Sequence, residues 1–234
     1  MVRTFAGASA IALLAAASAA AMPPGVEIGK DRSQVFATVP LPPSAPAPRE
    51  GRSLLTIFDN IGSKYPQGRY WCCNGNSIKA PEADPGSPVR WLAAAFTPSS
   101  DRTVTQIEIA AAYLKGGNAL TLSLAQDASG VPGEVLKSWK IGNMPAFGSC
   151  CAVTVQKNKQ GISVTGGTQY WIVLTTEHSA VDTWAAWLNS DTDQTVSAPT
   201  ASYCSSDTGG FCQDNDRWTA ASSTPPLAFA VKGF

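Results

Sequence analysis

A period of two restricts this chain more than any other feature. In "TVTQIEIAAAYL" the residues Ile107, Ile109, Ala111 and Tyr113 share one face of an extended backbone, and in "ALTLSLAQ" Leu120, Leu122 and Leu124 do the same. In "TQYWIVLTT" Tyr170, Ile172 and Leu174 oppose Trp171 and Val173, and Leu227, Phe229 and Val231 make another alternating run. Side chains alternate across a strand, so each run has one face to bury. The runs are separated by turn formers: "KGGN" (115–118), "ASGVPG" (128–133), "TGG" (165–167) and "SDTGG" (206–210). No long stretch after the N-terminal segment carries a 3.6-residue period. Even the alanine run 93–95 lies between Trp91 and Phe96 in a short segment ended by Pro98. A parallel sheet needs crossover helices, and the pattern offers none. The sequence therefore predicts an all-β chain, a single-domain antiparallel β-sandwich, jelly-roll-like, of roughly eight to ten strands.

The N-terminal segment is of a different kind. "MVRTFAGASAIALLAAASAAAMPP" has one basic residue (Arg3), an apolar run through Ile11, Leu13 and Leu14, and small residues Ala19 and Ala21 before Pro23 and Pro24. That is the pattern of a secretory signal over 1–21, not of a stable membrane span. No Cys follows the expected cleavage point, which argues against a lipid anchor. Residues 22–52, with "VPLPPSAPAPRE", read as a proline-rich linker or tail, and 53–234 as the β-sandwich domain. About 180 residues are enough for one core burying roughly 70% of the unfolded surface. Taking Arg3 from the 17 Lys and Arg leaves 16 against 17 Asp and Glu, without charge blocks. Nucleic acid is therefore not an expected partner, since phosphate binding needs a clustered basic face.

Export leads to an oxidising compartment, where six cysteines are most simply three disulfides. A zinc or redox site would call for C-x-x-C, which is absent, or for histidines, of which His178 is the only one. Cys72–Cys73 and Cys150–Cys151 are doublets, and adjacent Cα atoms, about 3.8 Å apart, are too close for an unstrained bridge. Each doublet should bond outward. Cys204 and Cys212 bracket a turn-rich segment and form the natural local pair, leaving the doublets to bridge each other. In the chain-entropy model the loop of about 79 residues between the doublets gives roughly 4.5 kcal/mol, and the nine-residue loop about 2.6 kcal/mol.

Chemistry is less legible. G-x-S-x-G, H-E-x-x-H and phosphate-loop motifs are absent. His178 has Glu177 and Asp182 nearby but reads as a loop histidine. Glu108 and Glu134 could serve a carboxylate-dependent glycan hydrolase, yet Glu108 opposes the Ile107 and Ile109 face and suits a solvated position. Asp191 and Asp193 in "SDTDQ", with Asp214 and Asp216 in "QDNDR", offer oxygen ligands for a structural calcium ion. The first cluster lacks an EF-hand pattern, having Val196 and Ser202 at its sixth and twelfth positions, and polar turns account for both clusters. No other cofactor is expected. Of the seven tryptophans, Trp91, Trp139, Trp171 and one of Trp184 or Trp187 are expected between the sheets. Trp71 beside Tyr70, and Trp218 beside Arg217, lie in polar, cysteine-bearing segments. Tyr70, Trp71, Arg217 and Trp218 are therefore the candidate ligand platform, suited to the apolar face of a sugar ring. The competing reading is that they cover a loop beside the disulfides.

Several motifs occur in a telling order: "TIFDN" (56–60), "WLAAAFTPSSDRTVTQIEI" (91–109), "LTLSLAQDASGVPGEVL" (120–136), "GGTQYWIVL" (166–174) and "TWAAWLN" (183–189). In that order the chain, over about residues 56–234, resembles the choice-of-anchor R domain of exported bacterial proteins. The resemblance implies an extracytoplasmic β-rich domain of undetermined biochemical role and brings no catalytic residues. The chain departs from the pattern in ending on "LAFAVKGF" without an apolar tail or basic end, and in carrying the cysteine doublets. The expectation is a non-catalytic exported protein, secreted or periplasmic, that binds polysaccharide or another envelope or matrix component. The alternative is an adhesive or structural module that contacts another protein; the hydrolase stands behind both.

Overall fold

The computed structural model describes residues 26–29, 34–37, 54–61, 70–149, 153–177, 179–190, 199–204, 217–221 and 226–234. Among them are fourteen strands and no helix, and every strand pairing is antiparallel. In chain order they are β1 Val26–Ile28, β2 Gln34–Ala37, β3 Leu55–Asp59, β4 Tyr70–Lys79, β5 Arg90–Phe96, β6 Arg102–Lys115 and β7 Ala119–Asp127. There follow β8 Pro132–Gly142, β9 Val153–Val164, β10 Tyr170–Thr176, β11 Trp184–Ser190, β12 Thr200–Cys204, β13 Arg217–Ala221 and β14 Phe229–Gly233. The strands exceed the eight to ten expected because short ones form where hydrophobic period is weakest, at β1, β2, β12 and β13. No described helix is long and apolar enough to cross a membrane.

The longest strand, β6, is shared by two layers. Its first part pairs with β9 on one side and β14 on the other, with β3 outside β14. Its last part pairs with β11, which continues through β4 into the second layer. There the order runs from β4 through β5, β10 and β7 to β8, with β12 and β13 added on β5. The layers close on each other through aromatics. Phe58 of β3 stacks on Phe229 of β14 at 4.5 Å, and Phe229 meets the edge of Phe96 of β5 at 6.5 Å. Strands β14 and β5 are not neighbours in either layer, so this contact spans the sandwich. Ile107, Ile109, Leu120, Leu122, Leu124, Tyr170, Ile172, Leu174, Leu227, Phe229 and Val231 line the interior, the faces that the period of two marked.

Where β11 and β14 diverge from β6, backbone groups lose their ladder partners, and side-chain amides replace them. The Asn60 side chain accepts the Phe229 N–H at 2.7 Å and donates to the Leu227 carbonyl at 2.9 Å, as a neighbouring strand would. Ser190 donates to the Asn60 carbonyl, and Asn76 donates to Asn189, which donates to Asn74. Asn60, Asn76, Asn189 and Ser190 are all buried, and such groups are tolerated only when paired in this way.

The tryptophans sort by strand parity. Trp187 enters the interior and donates its N–H to the Ala228 carbonyl at 2.9 Å. Trp184, three residues earlier, lies on the opposite face among Ala80, Ala110, Ala112 and Ala186, with the Lys79 and Lys115 ammonium groups 5.4 and 5.0 Å from its ring. Trp139 is half-buried against the interior. Trp171 is not in the interior as expected: Tyr170 takes that place, and alternation turns Trp171 outward over Ala93, Ala95, Ala125 and Ala201. Small residues directly opposite it, Ala95 on β5 and Ala125 on β7, leave room for the indole to lie on the sheet.

Two further expectations change. Residues 26–28 and 34–37, assigned to the linker, form a hairpin whose second strand pairs with Asn74, Gly75 and Asn76 of β4. Val35 is fully buried there, so proline-driven extension does not govern this part, which precedes the proline-dense stretch. Glu108 is half-buried, not solvated. Its carboxylate accepts from Lys232 at 2.7 Å and Gln106 at 2.6 Å, because β14 brings Lys232 alongside.

Candidate functional site

Alternation places a row of side chains across the outer face of the second layer. Trp218 of β13 pairs with Tyr203 of β12, and Tyr203 pairs with Trp91 of β5. On β10 the pairing of Leu174 with Leu92 puts Thr175, one residue on, beside Trp91. The line continues through Thr121 of β7 to Lys140 of β8. Residues in one register share one face. The sheet therefore carries an aromatic half, Trp218, Tyr203 and Trp91, and a polar half, Thr175, Thr121 and Lys140.

The aromatic half is rigid. Trp91 and Tyr203 stack with centroids 4.4 Å apart and planes 17° from parallel, and Trp218 leans on Tyr203 at 5.9 Å and 59°. Trp91 also donates its indole N–H to the Thr176 hydroxyl at 3.0 Å, which fixes the ring's rotation. Trp91, stacked on Tyr203 and packed against the interior cluster, also lines a groove.

That groove has a volume of about 430 Å³ and is lined by Pro81, Val89, Trp91, Thr175, Thr176, Glu177, Val181 and Tyr203. This is within the range of about 300–1,000 Å³ typical of small-ligand sites. Glu177 is the only carboxylate among its described lining residues. One oxygen accepts the Thr121 hydroxyl at 2.6 Å, and the other lies 3.5 Å from the Lys140 ammonium. The carboxylate is thus oriented and partly neutralised, with lone pairs left to accept. Thr176 accepts from Trp91 and keeps its own O–H to donate. An apolar ring face beside paired acceptors and donors suits a polyhydroxylated ring.

The far end of the same face is anchored by Asp127. Its carboxylate accepts from the Trp171 indole at 2.8 Å, from Gln169 at 2.7 Å and from the Gly130 backbone. Burial acts to raise its pKa, but the hydrogen bonds from Trp171, Gly130, Gln169 and Ser129 together outweigh it and hold the group below its ordinary value of 3.8. Gly130, at φ +88°, makes the turn that brings its N–H onto the carboxylate.

Of the platform expected from sequence, Trp218 lies on this face but is half-buried, packed against Tyr203 and the Trp171 cluster. Arg217 precedes it on β13, and Tyr70 and Trp71 begin β4; the side chains of these three lie outside the described residues. Trp91 belongs to the groove and not wholly to the interior, because its position has the parity of Ala93 and Ala95. Tyr203, Thr176 and Glu177 were missed. The signal for Tyr203 was the alternation of "TASYC", too short to read without its β5 partner. The calcium candidates Asp191, Asp193, Asp214 and Asp216, and His178, lie outside the described residues. So do Cys150, Cys151 and Cys212, while Cys72, Cys73 and Cys204 are described only as backbone in β4 and β12. Among the described residues no three His, Cys, Asp or Glu side chains gather as metal ligands would. Glu134 is exposed on β8, and Glu108 belongs to the other layer with β14. Comparison of the chain with family models, with curated proteins and with solved structures gave no match.

Proposed function

We propose that this chain is an exported, disulfide-bridged, non-catalytic β-sandwich of the choice-of-anchor R type that binds carbohydrate in the Trp91 groove, as part of the bacterial envelope or its surrounding matrix. The observation that carries the reading is the fixed Trp91–Tyr203 stack lining, together with Thr175, Thr176 and Glu177, a cavity of about 430 Å³. A sugar ring stacks its C–H face on Trp91 and directs hydroxyls to Glu177 and Thr176. A groove of this size holds a short segment of glycan and not a long flat run. Glycoside hydrolysis ordinarily uses two facing carboxyl groups, and among the described lining residues Glu177 is the one carboxylate. This favours binding over cleavage. The signal-like N-terminal segment and the even cysteine count support export and an oxidising compartment.

The test is a broad polysaccharide and glycan array probed with the oxidised protein 22–234, alongside Trp91→Ala and the Trp71→Ala/Trp218→Ala double variant. The reading requires binding that Trp91→Ala reduces at least about tenfold, as expected for a central aromatic anchor. Binding lost only in the double variant would move the site to the platform first read from sequence. A blank array would replace carbohydrate with a protein partner, and release of reducing ends would replace binding with hydrolysis.

A further inference from the structure

The second layer's counterpart, on β6 and β9, contains an irregularity that the groove does not explain. Between Val104 and Gln106 of β6 there is one residue, Thr105, whereas their β9 partners Ile162 and Lys157 enclose four, 158–161. The same Thr105 is extra against β14, where Val104 and Gln106 face the consecutive residues Gly233 and Lys232. Thr105 is therefore a bulge against β14, while toward β9 the extra residues are 158–161 of β9 itself. Gly161 permits the β9 excursion: its φ is +71°, and a Cβ there would clash with the Thr103 methyl. Bulges re-aim side chains and recur beside functional sites.

The bulge bounds a cavity of about 360 Å³ lined by Leu54, Thr105, Gln106, Lys157, Asn158, Lys159 and Phe234. Two of these are cations, and neither has an ion-pair partner among the described residues. The nearby carboxylate, Glu108, is already neutralised by Lys232. The Thr105 hydroxyl is buried and has no hydrogen-bond partner among the described residues. A buried hydroxyl without a partner carries a desolvation cost, which a ligand that accepts its proton would remove. Phe234 is 52% exposed and with Leu54 supplies an apolar wall.

We infer that the Thr105 bulge is a second binding site, for a ligand whose oxyanion (phosphate, sulfate or carboxylate) is carried on a ring or other apolar body. Lys157 and Lys159 hold the charge, Thr105 and Asn158 donate to its oxygens, and Phe234 covers the apolar part. The site lies on the other layer from the groove and does not depend on carbohydrate binding there.

The test is an NMR titration of the 15N-labelled chain with phenyl phosphate, phenyl sulfate and benzoate, with inorganic phosphate and phenyl β-glucoside as controls. At least one aryl oxyanion should shift the amides of 103–106 and 157–161 and bind more tightly than inorganic phosphate or the neutral glucoside. Lys157→Gln/Lys159→Gln should raise its dissociation constant by about tenfold or more. Thr105→Val, which keeps the shape and removes the unpaired hydroxyl, should leave the fold intact yet weaken binding. Failure of all three aryl oxyanions to shift these amides, or unchanged binding in both variants, would overturn the inference.

Discussion

At the level of single residues, two groups on one face bear on its chemistry in different ways. Trp91 is held by Tyr203 on one side and Thr176 at its N–H, so little rotamer freedom remains to be lost on binding a ring. Asp127 is held by four donors and titrates below its ordinary value. A group with a depressed folded pKa contributes stability that is fully present above its unfolded value and is lost as pH falls through the folded one. The Trp171 indole N–H resonance should therefore follow an acid transition whose half-point lies below 3.8. Asp127→Asn should abolish that acid transition. If the resonance already moves between pH 6 and 4, with a half-point about or above the ordinary 3.8, the anchoring described for Asp127 is wrong.

At the level of elements, much of the fold was legible because alternation is local. The faces of β6, β7, β10 and β14 were readable from Ile107, Leu120, Ile172 and Phe229 alone. The fork was not, because it depends on Asn60 completing a ladder with residues 167 positions away in sequence. An asparagine at a strand end looks like a turn residue until its partner is known. Asn60→Ala leaves the Phe229 N–H and Leu227 carbonyl buried and unpaired, and should destabilise the fold by about 3 kcal/mol in urea unfolding. A loss under about 0.5 kcal/mol, the scale of an ordinary surface substitution, would show that Asn60 does not hold the fork. The groove was illegible for the same reason: Trp91, Tyr203 and Glu177 come from separate strands and loops, and register, not spacing, brings them together. Trp171 was misplaced because adjacent aromatics give no sign of which one turns inward.

At the level of the whole molecule, the hairpin β1–β2 is part of the sandwich although composition set it apart. Its removal uncovers the β4 backbone at Asn74, Gly75 and Asn76 and takes away fully buried Val35. A chain beginning at residue 53 should therefore be less stable than one beginning at 22, by about 2–4 kcal/mol from lost apolar burial and strand pairing. Equal urea midpoints and slopes would return the hairpin to the status of a tail. The two cavities lie on different layers, so a glycan in one and an oxyanion ligand in the other should bind independently, without either changing the other's affinity.

In the carbohydrate-binding proposal Trp91 is the surface a glycan would meet, and the seven tryptophans make that directly readable. The measurement is a titration of the labelled chain with soluble fragments of polysaccharides from the array, following the indole N–H resonances. The Trp91 signal should move first and furthest, since its N–H already touches Thr176 at the groove, while buried Trp184 and Trp187 stay in place. No glycan-induced shift at any indole, or a saturating shift elsewhere with Trp91 unmoved, would contradict it.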